Sequence, residues 1–265
     1  MKKTMVIMTC LGLLLLGAGI AYADITTGLI AYYPFSGNAV DTTGGNDGTV
    51  YNATLTTDRF GNPDSAYYFN GISTLSGGGS YIQLAHNFDF VNMGNLTFSA
   101  WVKPAGDGGY IFHQANGGQL ALRTSGGYAD FFAHLANANW YHATDPNLVA
   151  QNTWVNLTGV YYARNKNELW VNGNLVATTT LADSNLFDVT WGDYFYAGIG
   201  AYYESWFSDS LQGPFTGTID DFRIYNRALN ASDVQELAGV PIPGAVWLLG
   251  SGLLGLAGCR RLRKG

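Results

Sequence analysis

Cysteine is absent from residues 24–238 of this 265-residue chain; its two copies, Cys10 and Cys259, sit in the end segments. No disulfide inside the middle segment staples it, so its stability has to come from a packed core. Glutamate is nearly as scarce: Glu168, Glu204 and Glu236 are the three in the chain, all isolated. Cations are few where they would matter for anionic partners. The middle segment holds all 19 acidic residues and seven of the 13 basic ones, which leaves it at −12. Such a body repels nucleic acid and anionic membrane surfaces, and nucleic acid is excluded as a partner. It is compatible with cations, calcium included.

The patterns of several chemistries are missing too. The four histidines, His86, His113, His134 and His142, form no His-x-x-x-His or His-Glu-x-x-His spacing, so zinc has little support. There is no Gly-x-Ser-x-Gly elbow, no phosphate loop and no EF-hand spacing. Glycoside hydrolysis needs two carboxylates held across one bond. The one acidic pair is Asp220-Asp221, and neighbours on a strand point to opposite faces unless a bulge intervenes. The histidines read as polar strand or loop residues, and the chain reads as a non-enzyme.

What is present is glycine and aromatic residue: 35 Gly, 17 Tyr, 14 Phe and 7 Trp. With so little Lys and Glu, this composition favours strands and turns over helices. Residues 28–35 (GLIAYYPF) predict a buried first strand. Residues 96–103 (LTFSAWVK) alternate, with Leu96, Phe98, Ala100 and Val102 on one face and Thr97, Ser99, Trp101 and Lys103 on the other. Short runs at 67–69, 81–84, 109–113, 119–123 and 130–134 predict further strands, followed by stronger ones at 154–162 and 167–171. Asn172-Gly173 then predicts a tight hairpin into 175–177, because both residues tolerate positive φ. Residues 216–225 (TGTIDDFRIY) predict the last strand. One helix is expected, capped by Asn230 with Asp233 at its third position and ended before Gly239 and Pro241. The expectation is an all-β, antiparallel two-sheet sandwich over residues 24–238.

The two ends read as addresses. Lys2 and Lys3 precede an apolar run from Met5 to Ile20, and Ala21-Tyr22-Ala23 offers a cleavage site. Residues 1–23 therefore read as a signal peptide, with a helix in its apolar part. Residues 239–265 carry Val240-Pro241-Ile242-Pro243, then 16 apolar residues, then Arg260-Arg261-Leu262-Arg263-Lys264-Gly265. A helix of that apolar run is about 24 Å long, a minimal membrane span, and its cations should stay on the cytoplasmic side. The whole reads as an exported protein, with at least transient single-pass anchoring in the inner membrane.

Four blocks carry a family resemblance. They are GLIAYYPFSGNAVDTTGGNDGTVYNATLTTDRFGNPDSAYYFNG, LTFSAWVKP, ELWVNGNLVATTT and FTGTIDDFRIYNRALNASDVQEL. Together and in this order they resemble LamG-like jelly-roll domains of the concanavalin A-like superfamily. The resemblance implies a jelly-roll sandwich used outside cells to bind carbohydrate or protein, often with a calcium ion. The tail resembles a PEP-CTERM-type sorting signal in its Val-Pro-x-Pro variant, with Val240, Pro241, Pro243, Arg260 and Arg261 as the sorting residues. It implies an exosortase-type protease as a partner and the cell envelope, cell surface or extracellular matrix as destination.

By that resemblance the Gly-rich loop after the first strand lies near the last strand. Asp41 and Asp221, with Asp220, are then the candidate calcium ligands; alternatively Asp41 caps a turn and the Asp pair binds Arg223 or Arg227. For sugar, aromatic faces stack on C–H surfaces while amides take hydroxyls. Trp140 and Tyr141 in residues 137–142, and Tyr202, Tyr203 and Trp206 in residues 202–207, are the candidate ligand-binding rings. The alternative is that these rings close the ends of the core. The expected function is non-enzymatic glycan or polysaccharide binding. A structural or adhesive protein binding other proteins is the second reading, and a glycoside hydrolase-like domain the third.

Overall fold

In the computed structural model, which describes residues 24–188, 197–203 and 209–240, the alternation at residues 96–103 sets the layering. In chain order the strands are β1 (Leu29–Tyr33), β2 (Gly48–Tyr51), β3 (Thr54–Thr56), β4 (Ala66–Asn70), β5 (Tyr81–Leu84), β6 (Leu96–Pro104), β7 (Gly109–Gln114), β8 (Leu120–Ser125) and β9 (Tyr128–His134). They continue as β10 (Trp140–Leu148), β11 (Val155–Tyr162), β12 (Lys166–Val171), β13 (Asn174–Thr180), β14 (Gly198–Ile199), β15 (Tyr202–Tyr203), β16 (Leu211–Gln212) and β17 (Thr216–Tyr225). A four-residue helix, α1 (Phe90–Met93), was not signalled by the sequence; α2 (Ala231–Leu237) was.

One sheet runs β13-β12-β11-β6-β17-β4-β3, with β1 also on β17; the other runs β10-β9-β8-β7-β14-β5-β2. The pairings are antiparallel. The expected all-β two-sheet sandwich is therefore what forms, and Ile25–Val240 make one compact unit. Leu96, Phe98, Ala100 and Val102 face Phe112, Leu122 and Phe131 of the other sheet in one fully buried core. The sheets can close here because β11 carries Gly159 opposite Phe98. A Cβ at Gly159 would lie 2.3 Å from the Phe131 ring, so the ring occupies the space a side chain would need.

The other face of β6 is buried at Thr97 and Ser99 and half-buried at Trp101 and Lys103, with α2 and its approach segment packed against it. The Trp101 indole donates to the Leu237 carbonyl at 3.1 Å, and Thr97 Oγ1 donates to the Arg227 carbonyl at 2.8 Å. Asn230 caps α2 by accepting from Ser232 N and Asp233 N, and Asp233 Oδ2 accepts in return from Asn230 N. Asn172 and Gly173 take φ of 49° and 76°, as the hairpin into β13 requires. The signal segment and the C-terminal apolar run lie outside the described residues. Among the described residues no helix is long and apolar enough to cross a membrane.

Candidate functional site

Period-two alternation aims two sets of side chains away from the core on β9 and β10. Ala129, Phe131 and Ala133 point inward on β9, as does Ala143 on β10. Asp130, Phe132 and His134 therefore point outward on β9, and Trp140, His142 and Thr144 do so on β10. The register places them side by side: Thr144 opposite Asp130, His142 opposite Phe132, and Trp140 opposite His134. On β8, Arg123 pairs with Asp130, and on β7 Tyr110 pairs with Arg123. A bulge between Tyr110 and Phe112 shifts the alternation, which lets Tyr110 and His113 contact each other on this outer face, 4.8 Å apart.

The first cross-strand row is a charge network. Asp130, buried, accepts from Arg123 Nε at 2.8 Å, from Thr144 Oγ1 at 2.7 Å, and faces His142 Nδ1 at 3.0 Å. Burial alone would raise its carboxyl, but these three partners outweigh it and hold the group below the usual carboxylate range. The Arg123 guanidinium lies 4.9 Å over the Phe132 ring. His113 is fully buried, and that burial, with Arg123 nearby, pushes it down to about 3. Burial also lowers His134. Both rings are thus uncharged at neutral pH and serve as flat surfaces: His113 stacks on Tyr202 at 4.0 Å and His134 on Trp140 at 4.1 Å.

The hairpin of β15 and β16 stands over the β7 end of this face. Tyr202 meets Tyr110 edge-on at 5.6 Å. Between them opens a cavity of about 400 Å³ whose lining includes Asp107, Tyr110, Arg123, Thr124, Tyr202 and Gln212. Gly213 also lines it, in a left-handed conformation (φ 51°); a Cβ there would sit 2.4 Å from the Tyr110 ring. Thr124 Oγ1 is buried in the protein without a hydrogen-bond partner among the described residues. The cavity thus joins two aromatic rings to a guanidinium and an amide, which is the composition of a small-ligand site.

The rings expected from sequence divide. Trp140 and Tyr202 come to this face and are linked through Phe132 and Tyr110. Tyr141 packs against the core instead, with its hydroxyl accepting from Asn137 Nδ2. Tyr203 turns towards Tyr81 and Leu211. Both departures follow from strand pairing, since adjacent residues take opposite faces. Trp206 lies outside the described residues. Arg123, Asp130, Phe132, His113, His134 and His142 were not singled out as a site; the i, i+2, i+4 spacing of Asp130, Phe132, His134 and of Trp140, His142, Thr144 was the available signal. Asp130 is the one acidic side chain in these rows. Its carboxylate is held by three partners, Arg123, Thr144 and His142, and among the described residues of these rows no second carboxylate stands beside it.

The proposed calcium ligands Asp41, Asp220 and Asp221 have protein partners in this structure. Asp41 Oδ1 accepts from Tyr32 N, Thr43 N and Thr43 Oγ1, the turn-capping role. Its Oδ2 is buried without a partner, which supplies one ligand where calcium takes six to eight. On β17, a bulge beyond Asp220 and the left-handed Asp221 (φ 52°) bring both carboxylates to one place after all. Arg59 occupies it, 2.9 Å from Asp220 and 2.6 Å from Asp221, while Arg223 and the Tyr32 hydroxyl take the other Asp221 oxygen. Among the described residues no three His, Cys, Asp or Glu side chains gather as a metal site needs. Melting of the protein should accordingly be unchanged, within about 1 °C, by EDTA against added calcium; a chelator-induced fall of several degrees would restore the metal reading.

Arg59 is shared by two carboxylates, so it does not keep Asp220 low. Burial first, then the like charge of Asp221, push Asp220 up to about 7. A carboxyl raised in the folded state adds stability that is complete below its unfolded value near 3.8 and is lost as pH rises through 7. Between pH 5 and 8 the wild type should therefore lose melting temperature relative to Asp220→Asn, whose amide does not titrate. Parallel melting curves across that range would remove the assignment.

Of the sorting residues, Val240 ends the described chain, its N–H on the Gln235 carbonyl at 2.9 Å. Pro241, Pro243, Arg260 and Arg261 lie outside the described residues.

Known proteins show the same architecture. Domain 4 of AbnA, a GH43 extracellular arabinanase from Geobacillus stearothermophilus solved with arabinotriose, is 21% identical, with 79% of this chain and 98% of that one covered at a TM-score of 0.58. The botulinum neurotoxin serotype D ligand binding domain, solved with N-acetylneuraminic acid, is 17% identical over 80% of this chain and 50% of that one, TM-score 0.59. The botulinum neurotoxin DC binding domain, solved with rat synaptotagmin II, is 14% identical over 82% and 52%, TM-score 0.61. This chain thus spans about half of the toxin chains. No curated protein matches it. The family profile Laminin_G_3, concanavalin A-like lectin/glucanases superfamily, matches residues 76–235, more than half of the chain. On that match and the two-sheet sandwich, the chain belongs to the concanavalin A-like lectin/glucanases superfamily.

Proposed function

We propose that this protein is a non-catalytic, lectin-like module that binds glycan on the outer face of its seven-stranded sheet, at the cavity between Tyr110 and Tyr202. The observation that carries the reading is the cavity's make-up: two aromatic rings and Arg123 converge on a space of about 400 Å³. Rings of this kind supply rigid contact area, and a few placed donors fix orientation. Support also comes from similar folds solved with arabinotriose and with N-acetylneuraminic acid. The end segments extend the reading: a signal peptide exports the module, and the Val240-Pro241-Ile242-Pro243 tail hands it to an exosortase-type protease for the cell surface or extracellular matrix. Recognition runs through rings and hydrogen bonds, with no calcium between protein and sugar.

A glycan array on the purified protein, with and without EDTA, tests this. Wild type should give discrete hits that survive the chelator, and Tyr110→Ala should weaken them at least tenfold, a loss typical of an aromatic anchor. A blank array from folded protein removes the reading. The protein-binding alternative is less favoured because Trp140, 48% exposed, lies on the same face as the cavity.

A further inference from the structure

We infer that the glycan is an uncharged chain laid across the strands, with one sugar in the Tyr110–Tyr202 cavity and the next ones reaching Trp140. The inference rests on the reading that this face binds glycan, and it adds charge and length.

Charge follows from how Arg123 is held. Among the described residues it is the one cation lining the cavity, and Asp107 is the one acid. Arg123 Nε is already paired with the buried carboxylate of Asp130 at 2.8 Å, so its positive charge is balanced before any ligand arrives. Its terminal amino groups make no hydrogen bond with a described residue and can donate to sugar hydroxyls. Exposed Asp107 stands at the rim. The rings behind add no cation, since His113 and His134 are both pushed towards the neutral form. A uronate or sialate carboxylate would therefore meet exposed Asp107 and an arginine already engaged by the buried Asp130, inside a body carrying −12 between residues 24 and 238.

Length follows from where the rings sit. Tyr110 is on β7 and Trp140 on β10, with β8 and β9 between. Three strand spacings amount to about 14 Å, more than one sugar ring spans. The ground between them is continuous: Arg123 over Phe132, then Phe132 against Trp140 at 5.0 Å. Trp140 lies flat on His134, their planes 5° apart, which fixes its ring at the far edge. An occupant that uses both ends must be a chain of about three sugars or more.

An array of neutral linear oligosaccharides of one to six sugars, beside uronate- and sialate-bearing counterparts of equal length, reads both parts. Expected are hits among neutral chains, at least tenfold stronger at four sugars than at one, and at least tenfold weaker signals from the acidic counterparts. W140A should lower the long-chain signal at least tenfold and remove the length dependence. Trp140 is a half-exposed edge residue, and an unchanged melting temperature would certify the fold of the variant. Acidic glycans that bind as well as neutral ones overturn the charge argument, and a signal independent of length, or unmoved by W140A, overturns the lengthwise placement. Both of those results leave glycan binding standing. An array blank for every sugar sinks the underlying reading itself.

Discussion

Phe98→Ala is expected to cost about 3–5 kcal/mol, the range for emptying a fully buried aromatic site. Phe98 is wholly buried. It stacks on Phe112 at 5.3 Å, meets Phe90 edge-on at 5.3 Å and lies 5.8 Å from Phe131. Phe112 and Phe131 belong to the other sheet, so the ring bridges the two layers. Backbone hydrogen bonds on both sides fix the strands, and the sheets cannot slide together to refill the space. With no cysteine between residues 24 and 238, nothing covalent limits the loss. For a domain of this size the melting temperature should fall by roughly 10 °C. Phe98→Leu should cost less, about 1–2 kcal/mol, because it leaves a smaller void. Denaturant titration at constant m-value checks both; a loss below 1 kcal/mol for the alanine variant would mean that the core collapses freely.

This core also supports the site. Phe131 and Phe132 are neighbours on β9, one facing inward and the other forming the floor of the outer face. Whatever loosens Phe98 and Phe131 loosens the strand that holds Asp130, Phe132 and His134 in register. Stability and ligand contact are coupled here through a single strand.

Much of that architecture was legible in the residues. The alternation of residues 96–103, the Asn172-Gly173 turn, the strand over residues 216–225 and the Asn230 cap are local signals, and the fold keeps each of them. Where the signal was local but weak, it was missed. β10 carries Pro146, which reads as a strand breaker; it is tolerated because β10 is the edge of its sheet and one side of its backbone needs no partner there. β15 read as a loop because its two residues pair over the sheet, not within it. The site was legible only in pieces. Trp140 and Tyr202 stood out as rings, but their relation is set by strand order, which spacing along the chain does not encode. Tyr110 and His113 share a face through a bulge that no residue type announces. Arg59 meets Asp220 across 161 positions, so the sequence offered Arg223 and Arg227 as partners for the acidic pair and not the arginine that sits between them.

Asp130→Asn should give the most telling result among the site variants, because it separates charge from shape. The amide keeps the volume and can still accept from Thr144, but Arg123 and His142 lose their anion. Hydrogen bonds to a charged group are worth about 1.5–3 kcal/mol, and the partial exposure of Arg123 and His142 reduces what the pair adds, so the expected loss at pH 7 is about 2 kcal/mol. The sign of the pH dependence is fixed by the lowered carboxyl of Asp130. Its contribution is present above the unfolded value near 3.8 and disappears as pH falls through the folded one. Denaturation midpoints of wild type and variant should therefore differ at pH 7 and draw together as pH falls below 3.8; a gap that does not narrow in acid would assign the loss to packing. Binding should move in a second direction. With Asp130 neutral, Arg123 carries an unbalanced positive charge into the cavity, and the preference for uncharged chains should weaken or reverse. Neutral glycans lose the fixed orientation of the guanidinium and bind roughly tenfold more weakly, while uronate-bearing chains gain relative to wild type. If both classes weaken equally, Asp130 serves only to hold Arg123 in place and does not set the charge selectivity of the face.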